Sequence, residues 1–133
     1  MIAAMNGLEV ITLFTEDLAA ARAFYRAVFT QETLYEDDAC SVLRIGNIVI
    51  NVLKIENAPT LVEPIAVGGP DAGPRALYTV KVGSVDNICR ELELLGVRLL
   101  NGPIDRPWGR RTAAFADPSG NVWEVAEEIA PGG

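Results

Sequence analysis

Asp117-Pro118-Ser119-Gly120-Asn121-Val122-Trp123-Glu124 closes the second half of this chain, and Pro107-Trp108-Gly109-Arg110-Arg111 stands just before it. The first of these stretches holds a turn and the start of a strand. Proline presets φ at the second turn position and glycine supplies the closing residue. Strand formers flank the turn on both sides, which predicts a hairpin of Arg111–Phe115 and Asn121–Ala126. Reading towards the N-terminus, Val97–Leu100 is a further strand. Before it, Val85, Ile88, Cys89, Leu92 and Leu95 recur at helical spacing. Ser84 can cap the start of that helix and Gly96 can take the left-handed conformation that ends it. Leu77–Val82 alternates as a strand. The second half therefore reads βαβββ.

The first half repeats the order. Residues 8–15 are rich in strand formers, and Leu18, Ala21, Phe24, Tyr25 and Val28 then form a helical stripe through Asp17–Phe29. Glu16 and Asp17 sit where the helix dipole favours negative charge. Glu32–Tyr35, Ser41–Ile45 and Asn47–Leu53 follow as short strands, with Gly46-Asn47 as a hairpin turn. Leu18 and Ala21 match Val85 and Ile88 at one constant offset, so the helices of the two halves begin in register. Pro59, Pro64, Gly68, Gly69, Pro70, Gly73 and Pro74 crowd the stretch between the halves. These features predict one domain over residues 1–133, with a first module at about 6–55, a linker at 56–75 and a second module at about 76–128. The fold class is α+β: two βαβββ modules, each too small to bury its sheet alone, forming a half-open curved sheet barrel around a cleft.

Composition narrows the function classes. With 11 basic and 18 acidic side chains the formal charge is −7, a poor balance for gripping phosphate backbones, so nucleic acid is not an expected partner. No apolar run approaches the ~20 residues of a membrane span, and the start of the chain lacks the basic residues of a secretory signal. The expectation is a cytoplasmic protein without a membrane partner. Cys40 and Cys89 are far apart and show no short metal-binding spacing, which favours inert thiols. There is no histidine at all. The commonest ligand for zinc, copper and iron is therefore missing, as is the usual general base. Neither Ser41 nor Ser84 has a partner that could activate it.

Thr15-Glu16-Asp17-Leu18 leading into Ala23-Phe24-Tyr25, Val82-Gly83-Ser84-Val85 leading into Leu95-Gly96-Val97, and Gly102-Pro103 through Pro107-Trp108-Gly109-Arg110 to Asp117–Asn121 together resemble the vicinal oxygen chelate superfamily. That superfamily groups glyoxalase I, extradiol dioxygenases, bleomycin-resistance proteins and fosfomycin-resistance enzymes, and the resemblance spans nearly the whole chain. It implies metal ligands on the first and last strand of each module. Those positions fall here on Val10, on Ile50 or Asn51 depending on register, on Leu77 and on Glu124. A catalytic divalent site needs about three protein ligands, and one carboxylate is available. Glu9, beside Val10, would reach the same side of its strand only through a bulge. The resemblance further implies a homodimer with pockets at or near its interface.

Glu124 reads either as a ligand-facing carboxylate that attracts an amine, or as a structural residue neutralised by Arg110, Arg111 or Arg44. Trp108 offers a flat face for a ring or a cation, or else it plugs the sheet end. Gly109 lets backbone approach a ligand or sits in a bulge. Arg110 borders the same edge, Asn51 offers amide hydrogen bonds, and Phe14 and Tyr78 are further ligand-binding candidates. Tyr35 and Trp123 fit core or cross-strand packing. The expectation is a cofactor-free, metal-free small-molecule binding protein similar to the bleomycin-resistance branch, sequestering an aromatic, cationic metabolite or antibiotic. The alternative is a divalent-metal-dependent lyase, isomerase or dioxygenase with divergent ligands. A third reading is an interaction module whose role is dimerisation.

Overall fold

The computed structural model describes residues 1–130. The chain divides into two compact units, one of residues 1–69 and one beginning at Pro70. In the first, β1 (Val10–Thr15) leads through α1 (Leu18–Val28) to β2 (Thr33–Glu36), β3 (Cys40–Ile45) and β4 (Ile48–Lys54). Its four-stranded sheet has the order β1-β4-β3-β2, with β1 and β4 parallel and the other pairs antiparallel. A parallel pair cannot be closed by a hairpin. Here α1 and the two intervening strands make the crossover.

Local chemistry explains each boundary. The Asp17 carboxylate accepts from the Ala20 N–H at 3.0 Å and caps α1. Gly46, at φ 60°, turns β3 into β4 across the Ile45–Ile48 pair, as the first central residue of a tight hairpin does. Leu13, Leu43, Ile50 and Val52 are buried on the face of the sheet that α1 covers, with Tyr25 fully buried among them. Each such side chain contributes about 1.5–3 kcal/mol.

The stretch expected as an irregular linker instead contains short helical turns: a 3₁₀ turn at Ile55–Asn57, α2 (Pro59–Val62) and a second 3₁₀ turn at Pro70–Ala72. Pro59 opens α2, where its missing N–H would have no partner in any case.

The second unit repeats the pattern with β5 (Leu77–Lys81), α3 (Val85–Leu94), β6 (Leu99–Arg106), β7 (Arg110–Ala116) and β8 (Val122–Glu128), in the sheet order β5-β8-β7-β6. Again the first and last strands are parallel. Ser84 Oγ accepts from the Asn87 N–H at 3.2 Å, and Glu127 Oε1, reaching from β8, accepts from the Val85 N–H at 2.9 Å. Two of the free donors of the α3 N-terminus are thus satisfied. At the other end Gly96 takes φ 77°, with Gly96 N–H bonding to the Glu93 carbonyl and Val97 N–H to that of Leu92. This is the Schellman arrangement. The protein is α+β with two βαβββ modules, as the order of elements in the sequence predicts.

The strand before the Trp108 turn is longer than Val97–Leu100. It runs to Arg106, with two register breaks, one between Leu99 and Asn101 and one between Asn101 and Ile104. Gly102 occupies the second break at φ 87°. A methyl group there would meet the Thr112 carbonyl oxygen at 2.4 Å, so the strand passes β7 as closely as it does only because this residue has no side chain.

Candidate functional site

Strand alternation gives each sheet a helix-covered face and a second face, here called open because no helix of its own module covers it. In the second module Ala113, Phe115, Trp123 and Val125 lie under α3 and are buried. The neighbouring positions point the other way. One row across the open face is Asn101, Ala114, Glu124 and Thr79, contributed in turn by β6, β7, β8 and β5. The next row holds Ile104, Thr112, Ala126 and Lys81. Ala114, Thr112 and Ala126 form a buried, small-residue floor, while Thr79 and Asn101 at the row's ends are exposed.

Glu124 is half-buried on this face and its Oε1 accepts from Thr79 Oγ1 at 2.9 Å. It has no cationic partner among the described residues. The arginines expected to neutralise it are committed elsewhere: Arg110 to Glu128, Arg111 to Asp86 and Asp105, and Arg44 to Glu32. The register explains why. Arg110 stands opposite Glu128, two rows along from Glu124, and Arg111 points to the opposite face beside Glu127.

Trp108 lies in the β6–β7 turn and is 68% exposed, so it does not plug the sheet. The turn is closed by the Gly109 N–H bonding to the Arg106 carbonyl, and Gly109 takes φ 84°. Arg106, beyond the Val97–Leu100 strand that the sequence predicts, is half-buried on the open face with its guanidinium carbon 5.9 Å from the Trp108 ring centre. Its Nε donates to Thr112 Oγ1 at 3.0 Å and one terminal nitrogen donates to Asn101 Oδ1 at 3.3 Å.

Tyr78 is not on this face. It pairs with Trp123 on the helix-covered side, with ring centres 5.2 Å apart, and Thr79 is the residue opposite Glu124. Burial, and next the Asp117 charge, push the Tyr78 hydroxyl pKa up. The turn that sets the β8 register is built on Asp117, whose carboxylate accepts from the N–H groups of Ser119 and Asn121 and from the Asn121 side-chain amide, each at 2.9 Å.

In the first module the open face carries Val10, Thr12 and Phe14 from β1, Asn51 from β4 and Val42 from β3. Ile50 is 1% exposed beneath α1, so of the two registers left open by the sequence it is Asn51 that faces out. Its Oδ1 is buried and has no hydrogen-bond partner among the described residues. Thr12 stands beside Asn51 as Thr79 stands beside Glu124. The two modules therefore correspond at these positions.

The donor atoms do not fit a catalytic divalent ion. Val10 shares a face with Asn51, and Leu77 shares one with Glu124, giving two hydrocarbons, one neutral amide and one carboxylate at the four inherited positions. Glu9 precedes β1, is exposed, and has no place in the unbroken Val10–Thr15 register. Among the described residues no group of three or more His, Cys, Asp or Glu side chains could hold a metal. Cys40 and Cys89 are free and half-buried, and burial raises both thiol pKa values, which keeps the protons on. A shallow groove of about 470 Å³ lies elsewhere on the second module, between α3 and β6, and touches Cys89, Arg90 and Pro103. None of the candidate residues lines it.

Residues 7–125 match the profile of the Glyoxalase/Bleomycin resistance protein/Dioxygenase superfamily. The chain belongs to this superfamily. Among solved structures it is similar to a glyoxalase/bleomycin resistance protein/dioxygenase from Nocardioides, with 20% identity, a TM-score of 0.81 and coverage of 96% of this chain and 86% of that one. A lactoylglutathione lyase from Agrobacterium tumefaciens is 24% identical with a TM-score of 0.72, covering 91% and 92% of the two chains. The fosfomycin resistance protein FosX from Listeria monocytogenes is 20% identical with a TM-score of 0.73, covering 94% and 95%. At such identities the likeness extends to the fold alone. No curated protein matches the chain in sequence.

Proposed function

We propose that the chain is a metal-free binding protein for a small aromatic, cationic metabolite or antibiotic, which it holds without transforming, similar to the bleomycin-resistance branch of its superfamily. The observation that carries this reading is Glu124: a half-buried carboxylate on an open sheet face, oriented by Thr79 and left without a cation among the described residues. A half-buried carboxylate attracts an ammonium group more strongly than an exposed one, because water screens it less. Trp108, exposed at the end of the same module, offers a ring face for the ligand's aromatic part. Binding without preference for a transition state gives no catalysis, and sequestration needs none. The homodimer implied by the family resemblance belongs to the same proposal.

The test is a thermal-shift titration with benzyltrimethylammonium, a permanent aromatic cation, with and without EDTA. The compound raises the melting temperature equally in both conditions, since a ligand of the folded state stabilises it. Glu124→Gln weakens binding about ten- to a hundred-fold, the size expected for a charge-assisted contact of about 1.5–3 kcal/mol. Stabilisation by zinc or manganese that EDTA abolishes, with none from the organic cation, would refute the proposal in favour of a metal-dependent enzyme.

A further inference from the structure

We infer that the open face of the second module carries an anion subsite built on Arg106, so that its ligand bears a cationic and an anionic group at opposite ends of an aromatic ring. The inference rests on the reading of Glu124 as the cation subsite and adds a second, separately testable half.

The argument begins with what holds Arg106. Arg22, Arg26, Arg44, Arg110 and Arg111 each pair with a carboxylate, while Arg75, Arg90 and Arg98, like Arg106, have none among the described residues. Arg106 is held instead by two neutral acceptors, Thr112 Oγ1 and Asn101 Oδ1, and has no carboxylate partner among the described residues. Thr112 is 1% exposed, so its hydroxyl is a fixed support rather than a mobile one. The Trp108 ring lies 5.9 Å away and further restricts the guanidinium. A guanidinium has five N–H donors in one plane, and the two supports leave several of them uncommitted. The side-chain entropy that binding usually costs is already spent, and the remaining donors match the two oxygens of a carboxylate. On a chain with 18 acidic and 11 basic side chains, such a guanidinium marks a place prepared for a negative group from outside.

The spacing then defines the ligand. Asn101, which receives one Arg106 donor, stands in the same row as Glu124 with only Ala114 between them. Two interstrand spacings place the polar ends of that row about 10 Å apart. The alanine between them carries only a methyl group, so no long side chain stands across the gap. An α-amino acid, with both charged groups on one carbon, cannot reach both ends. A ring with an ammonium arm and a carboxylate on opposite carbons can.

The experiment uses three probes with one ring: benzylamine, benzoate and 4-(aminomethyl)benzoate, titrated into the full chain and followed by amide NMR shifts. The doubly charged probe binds at least ten-fold tighter than either singly charged one. Arg106→Gln brings its affinity down to that of benzylamine and leaves benzylamine itself unchanged. Asn101→Ala, an exposed substitution that spares the fold, causes a smaller loss for the doubly charged probe and for benzoate only. If Arg106→Gln and Asn101→Ala both leave 4-(aminomethyl)benzoate within two-fold of the parent while benzylamine still depends on Glu124, the anion subsite is overturned and the proposed function stands. If benzylamine fails to bind but benzoate binds through Arg106, the cation reading falls and the anion subsite survives. Absence of binding by all three overturns both.

Discussion

A single carboxylate organises the β2–β3 turn. Asp37 Oδ1 accepts from the N–H groups of Ala39 and Cys40 at 2.8 and 2.9 Å, and Oδ2 accepts from the Tyr35 hydroxyl at 2.8 Å. The Tyr35 bond, and then the two backbone bonds, lower the Asp37 pKa from the ordinary 3.8 to about 2. Because the folded value lies below the unfolded one, the turn's contribution is complete above the unfolded pKa and is lost as the pH falls through the folded value. Carboxyl NMR of Asp37 shows a midpoint near 2, and Asp37→Asn flattens the acid limb of the stability curve between about pH 4 and pH 2. A midpoint close to 4 would contradict these contacts. Parity along a strand acts at the same scale. Tyr78 and Glu124 were both candidates from sequence, but the β5–β8 register places Thr79 beside Glu124 and sends Tyr78 to the other side. Alternation from Leu77, which the family resemblance places at the same site as Glu124, already puts Thr79 on that side of β5 and Tyr78 on the other.

The helices were legible because each level of the sequence agreed: an apolar stripe, an acidic pair at the start of α1, and Ser84 before α3 with Gly96 past its end. β6 was only half legible. Asn101, Gly102, Pro103 and Asp105 are poor strand formers, so the strand was expected to stop at Leu100, and Arg106 was left without a face. The strand persists because Gly102 lets β6 approach β7 where any side chain would collide. Gly102→Ala therefore destabilises the protein by roughly 3 kcal/mol, combining a strained φ with a backbone clash. Urea denaturation measures this, with Gly83→Ala as the control, since a methyl group at Gly83 meets nothing within 4 Å and shifts stability by less than about 0.5 kcal/mol. Equal midpoints for the two variants would show that β6 does not need its glycine.

For the whole molecule, the internal repeat visible in the sequence is reproduced in both sheets down to the Thr12–Asn51 and Thr79–Glu124 neighbours. The donor types at the inherited positions are legible without coordinates, because they are side-chain chemistry, whereas which of Ile50 and Asn51 faces outward depends on a register that the sequence leaves open. Assembly is tested by sedimentation equilibrium. The proposed homodimer gives twice the 14.3 kDa chain mass at micromolar concentration, and a single species at the chain mass would remove it. Among the described residues no helix is long and apolar enough to cross a membrane.

The two tryptophans occupy contrasting surroundings, one 68% exposed and one 5% exposed. The chain thereby contains its own pair of optical reporters. Red-edge emission, open to quenching by acrylamide, comes from Trp108 and follows whatever lands on the ring. Blue-edge emission comes from Trp123 and changes only when the sheet and helix around it separate. One emission spectrum can thus distinguish a compound that occupies the surface from one that merely unfolds the protein.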